Sequence, residues 1–116
     1  MYAVPFTVSA FLTPCNLFVN ALNRSIDMSS IPDHRTVMIH AQTVREDQLD
    51  IMAELKAIPS FFSAHTFYWG DWHRDSVFGE ERASRISPTQ SSLDKGIVFT
   101  VHNDSPVVPP DMIRLL

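Results

Sequence analysis

Short apolar runs that end in a polar residue and give way to a helix signal recur along this 116-residue chain, and that alternation restricts the folds open to it. Val4 to Leu12 is rich in β-branched and aromatic residues, and Thr13-Pro14 then supplies an N-cap with proline at the first helical position. The helix is expected to reach about Arg24, with Leu17, Phe18, Ala21 and Leu22 as its apolar face. Thr36-Val37-Met38-Ile39-His40 is a run of the kind buried in parallel sheets. After it, Thr43-Val44-Arg45-Glu46 has the form of a capping box, and Leu49, Met52 and Leu55 continue at helical spacing until Pro59 disfavours helix at Ile58.

Pro59 to Ala64 and Ile97 to Val101 read as further strands, with Met38 and Phe99 facing a packed interior. Between these strands, His65 to Ser87 reads as a long loop carrying a short helix around Glu80 to Arg85. A brief helix follows Ser87-Pro88 and stops at Lys95-Gly96, where glycine suits the left-handed position, and Pro109-Pro110-Asp111 opens a last one. This order implies parallel strands joined by right-handed crossovers, an α/β fold. A doubly wound sheet alternates in the same way, but it more often carries a Gly-rich phosphate loop after its first strand, and none of the three glycines is so placed. The expectation is a partial (β/α)8 TIM barrel, since a complete one takes about 250 residues. Residues 1–116 would form one domain.

In such barrels the chemistry sits at the C-terminal ends of the strands. His40, His65 and Asp104 each stand where a strand runs into a loop. Imidazoles and a carboxylate at neighbouring strand ends can converge on a divalent ion, zinc or a similar metal, which acidifies water, while an aspartate takes the proton and passes it to a leaving amine. By spacing alone a histidine at a strand end is more often structural than catalytic. Trp69, with Phe67, Tyr68 and Trp72, could wall a substrate pocket or cover the barrel mouth. His34 and His73 read as surface residues, and Cys15 as a small buried hydrophobe on a helix.

Composition narrows the partners. A net charge of −4 without a Lys/Arg cluster argues against nucleic acid, whose phosphates need a basic patch. No apolar stretch approaches the ~20 residues that span a bilayer, and the N-terminus lacks the basic start of a secretory signal. One cysteine forms no intrachain disulfide, which fits the reducing interior of a cell, so no membrane role and a cytoplasmic location are expected.

Three segments resemble amidohydrolase family 3, the YtcJ-like branch of the metal-dependent amidohydrolases. They are Arg35-Thr36-Val37-Met38-Ile39-His40-Ala41-Gln42, then Pro59-Ser60-Phe61-Phe62-Ser63-Ala64-His65-Thr66 with Trp69-Gly70-Asp71, then Gly96 with His102-Asn103-Asp104-Ser105-Pro106-Val107. The resemblance covers residues 33–116, with 1–32 divergent, and implies about strands 5 to 8 of the barrel. It further implies hydrolysis of amide-type C–N bonds in small molecules, N-acyl amino acids and N-substituted formamides among them, with a divalent metal. By the same resemblance His40 binds the metal or its water, and Asp104 binds the metal and shuttles the proton. His65, Trp69, Asp71 and His102 face the substrate.

The family's His-x-His pair after the first strand, its middle-strand ligand and its His-Ala-x-Gly-Asp segment are not in this sequence, and Thr7-Val8-Ser9-Ala10-Phe11-Leu12 stands near where the last would fall. The expectation is therefore a truncated reading frame whose product is inactive alone and does not retain the metal. The rival expectation is a non-catalytic half barrel that associates with a second copy or another chain through its open sheet edges.

Overall fold

Parallel pairing organises the molecule. The structure, a computed structural model, describes residues 8–9, 14–28 and 33–115. Strands β1 (Val8–Ser9), β2 (Val37–His40), β3 (Ile58–Phe61) and β4 (Thr100–Val101) form one sheet in the order β1-β2-β3-β4, each neighbouring pair parallel. The register sets Val8 beside Met38, Met38 beside Pro59, and Ser60 beside Thr100. Helices α1 (Pro14–Met28) and α2 (Glu46–Leu55) follow β1 and β2, while α3 (Ala64–Trp72) follows β3 and continues as a π-helical segment, His73–Phe78. Then come α4 (Glu80–Ala83), α5 (Thr89–Asp94), β4 and a 3-10 turn, Ile113–Leu115.

The strand order never reverses, and the helices lie side by side. Gln48 Nε2 on α2 donates to Asn16 Oδ1 on α1 at 2.8 Å, and Lys95, just past α5, pairs with Glu46 and Asp50 of α2. A doubly wound sheet would reverse its order at a switch point and place helices on both faces. The larger of two apolar clusters among the described residues forms here: Met38 and Phe61 pack with Cys15, Phe18, Val19 and Leu22 of α1 and with Leu49 and Met52 of α2, while Phe62, Ala64 and Val108 form a smaller one. Phe99 meets Phe61 edge-on, ring centroids 5.6 Å apart, so Met38 and Phe99 both serve the interior. Cys15 is a buried free thiol, its pKa raised by that burial. Among the described residues no helix is long and apolar enough to cross a membrane.

Several local expectations are corrected. On α1 the buried stripe is Cys15, Phe18, Val19 and Leu22, joined by Ile26, whereas Leu17 is 66% exposed and Ala21 is exposed. Rolled this way, the helix hides more apolar surface than the expected face would, and it runs on to Met28. Thr43 does not cap α2. The helix starts at Glu46, and the buried Gln48 takes the Arg45 backbone N–H at 2.9 Å through Oε1. One amide thereby satisfies the helix start and ties α2 to α1, which a threonine two residues earlier could not do. Thr13, and most of the Val4 to Leu12 strand, lie outside the described residues.

The expected loop at residues 65–87 is largely helical. Its aromatics and charges follow no 3.6-residue stripe, so periodicity gave no sign of α3. The strand expected at residues 59–64 ends at Phe61 because α3 begins at Ala64, and β4 pairs only over Thr100 and Val101. The last expected helix is the short turn Ile113–Leu115. Gly96 holds the left-handed position after α5, φ +67°, as its placement implied.

His34, expected at the surface, is a structural pin. Its Nδ1 accepts the Thr36 backbone N–H at 3.1 Å, so the proton sits on Nε2, which donates to the Leu55 carbonyl at 2.6 Å. The start of β2 is thus fastened to the end of α2. Replacing His34 by alanine should lower unfolding free energy by about 1–3 kcal/mol, because it leaves the partly buried Leu55 carbonyl and Thr36 N–H without the imidazole. Urea titration measures this, and a midpoint unchanged from wild type would show that water replaces the imidazole without cost.

Candidate metal-binding centre

Because every strand runs the same way, the carboxyl ends of β2, β3 and β4 share one edge of the sheet. His40 closes β2, Phe62 and His65 follow β3, and His102 and Asp104 follow β4. An unbroken pleat would send His40 the same way as Met38, into the helix-side core. Instead His40 (φ +71°) and Ala41 (φ +39°) adopt left-handed backbone and turn the chain at this point. Asp104 (φ +58°) does the same after β4, where the Val107 N–H donates to its carbonyl at 2.9 Å. Left-handed backbone costs an L-residue roughly 1–2 kcal/mol, and such strain collects at functional sites.

The turns bring donors together. Ligand atoms of His40, His102 and Asp104 all lie within 4.8 Å of one another, and His40 Nε2 stands 3.9 Å from Asp104 Oδ2. The His40 and His102 rings are 4.9 Å apart at 68°. Phe62 braces them: it stacks on His102 at 5.6 Å and meets His40 and His65 edge-on at 6.0 and 4.6 Å. On the other side of His102, Nδ1 is 2.9 Å from Ser60 Oγ, leaving Nε2 buried with no partner among the described residues.

Burial favours the uncharged form of His65, His73 and His102. Desolvation, followed by the neighbouring His73 and His40, pushes His65 down to about 4. The pKa values of His102 and His73 are lowered as well, in both cases chiefly by desolvation. Neutral imidazole offers a lone pair, and that is the form a metal takes.

The site residues expected from sequence do not all gather. His40 and Asp104 meet, and His102, read as a substrate contact, joins them among the possible ligands. His65 lies beside the group, its ring 6.1 Å from His40, and Trp69 packs on His65 at 5.2 Å. Asp71 is not drawn in. Its side chain is 88% exposed and pairs with Arg74 at 3.0 Å, beside a surface cavity of about 540 Å³ lined by Thr66, Trp72 and Ser84 among others. His73, expected at the surface, is buried in the π-helical turn against His65 and Phe78. Ser60 and Phe62 went unnoticed as site residues, although a serine inside an apolar strand run is the kind of anomaly that marks a polar contact.

A family model described as an amidohydrolase family matches residues 17–115. No curated protein and no solved structure matches the chain.

The depressed imidazole has a signed consequence. His65 binds its proton less tightly folded than unfolded, so its contribution to stability is complete above the ordinary histidine value and is lost as pH falls toward about 4. In metal-free protein, proton NMR should place the His65 titration near pH 4, and His65→Phe should flatten the fall in urea midpoint between pH 6.5 and 4. A titration near 6.5 would mean that water reaches the ring freely.

Proposed function

The chain belongs to amidohydrolase family 3 across residues 17–115, and on that footing we propose that it carries the metal-holding, proton-transferring rim of a hydrolase of amide-type C–N bonds. Residues 1–116 then form one partial domain, with β1 to β4 as about strands 5 to 8 of a (β/α)8 barrel. The unreversed strand order and a polar rim at the carboxyl edge support that reading. The observation that carries the functional proposal is the convergence of His40, His102 and Asp104, with the buried Nε2 of His102 lacking a partner among the described residues.

The donor set fits a divalent ion. Two neutral imidazoles and a carboxylate oxygen form a borderline ligand set that suits zinc. A bound ion there supplies Lewis acidity, polarising the scissile carbonyl and acidifying water. Asp104 accepts the proton of the attacking water and delivers it to the leaving nitrogen, so the amine departs neutral as the C–N bond breaks. His40 and His102 would hold the ion, and His65 and Trp69, beside the group, would contact the substrate, while Asp71 stays at the surface paired with Arg74. That substrate is an N-acyl amino acid or an N-substituted formamide. With only three protein donors to hold it, an ion would be easily lost, and the chain alone would be inactive.

Cobalt titration tests the site. Wild type should bind one equivalent that a mild chelator strips, His40→Ala and Asp104→Asn should abolish binding, and Asp71→Asn should leave it unchanged. Completed with the missing barrel strands, the Asp104→Asn protein should hydrolyse amides about 10²–10⁴-fold more slowly, as expected for loss of a general base. Near wild-type turnover would make Asp104 a turn residue.

The edge strands favour a second reading, a half-barrel module that pairs with another chain. Among the described residues β1 and β4 each have a neighbour on one side only, and Val98 beside β4 is 72% exposed. Sedimentation velocity separates the two: concentration-dependent association that persists when His40 and Asp104 are both replaced favours the module.

A further inference from the structure

We propose that Ser60 is the positioning residue that makes His102 a ligand, an inference that rests on the metal site proposed above. Ser60 lies in the middle of β3, almost fully buried, in a strand otherwise built of Ile58, Pro59 and Phe61. A lone hydroxyl in such a strand needs a partner, because burying it unpaired costs roughly 1–3 kcal/mol. Its partner is His102 Nδ1, at 2.9 Å, 42 residues further along the chain.

Sheet register makes this contact. Ser60 pairs with Thr100, and His102 stands two residues beyond Thr100 on the same face of the sheet. The His102 backbone N–H donates to the Phe61 carbonyl at 3.0 Å, which fixes where the ring begins. Phe62 stacks on the ring at 27°, fixing its plane. With plane and origin set, the remaining freedom is the ring flip that exchanges Nδ1 with Nε2. The Ser60 hydroxyl removes it. When Nδ1–H donates to Ser60 Oγ, the lone pair is left on Nε2, the atom that is buried without a partner among the described residues beside His40 and Asp104. A ligating histidine is generally held through its other nitrogen in this way, and loss of such a support typically costs about 10–100-fold in metal affinity.

Three forms of the chain, wild type, Ser60→Ala and Ser60→Thr, would be titrated with zinc against a chelator. The 15N shifts of the His102 ring would be read in each before metal is added. In wild type Nδ1 should be the protonated nitrogen. Ser60→Ala should mix the two tautomers and weaken zinc about 10–100-fold, and Ser60→Thr, which keeps the hydroxyl, should restore both readouts. A purely structural serine would lower the urea midpoint of the alanine variant while leaving tautomer and zinc affinity as they were, and that result overturns the proposal. So does zinc ligation through Nδ1. If wild type takes up no zinc at all, the metal site falls and this role falls with it. Zinc bound equally by wild type and the alanine variant overturns the role of Ser60 alone.

Discussion

The parallel register between β3 and β4 is the constraint on which the centre depends. It sets Ser60 beside Thr100 and Phe61 beside Val101, and everything after β4 follows from those two pairings. A slip of one residue would exchange the two faces of the strand, offering Phe61 to the ring of His102 in place of a hydroxyl. The same pairing aligns Phe61 with the helix-side core, where Phe99 packs on it, so the side chains that stabilise the sheet also specify the register that builds the site. Packing energy and site geometry are therefore coupled.

The centre stands against local stability. Left-handed backbone at His40, Ala41 and Asp104, together with buried ring nitrogens on His40, His65, His73 and His102 that lack partners among the described residues, all work against the folded state. Burial holds His65, His73 and His102 below the ordinary imidazole range, which keeps them neutral and able to ligate or to accept a hydrogen bond. Compensation comes from the opposite face, where Met38, Leu49, Met52 and Phe61 are fully buried. The strained rim and the close-packed base are thus carried by different residues.

Much of this was legible in the sequence, for reasons that differ by element. The runs around Met38 and Phe61 showed as strands because an apolar stretch bounded by Pro32 and by the α2 helix pattern has few other places to go. His40 and Asp104 stood out because each is polar at the end of such a run. The α3 helix was hidden, since His65 to Trp72 mixes aromatic and polar residues with no helical stripe, and its order comes from Phe62 and Trp69 packing around His65. The role of Gln48 in starting α2 was hidden too, because its second partner, Asn16, is 32 residues away. His102 was read with the substrate and not with the ligands because its grouping with His40 depends on register and on Ser60, neither of which spacing along one strand reveals.

X-ray absorption at the zinc edge tests the central claim most directly, because it counts the ligands on an ion added to the chain. Convergence of His40, His102 and Asp104 predicts two imidazole nitrogens at about 2.0–2.1 Å, with outer-shell scattering from both rings, and the remaining positions filled by oxygen. His102→Ala should remove one imidazole from that shell and His40→Ala the other. A shell of oxygens alone, or an imidazole count that neither replacement changes, would contradict the account.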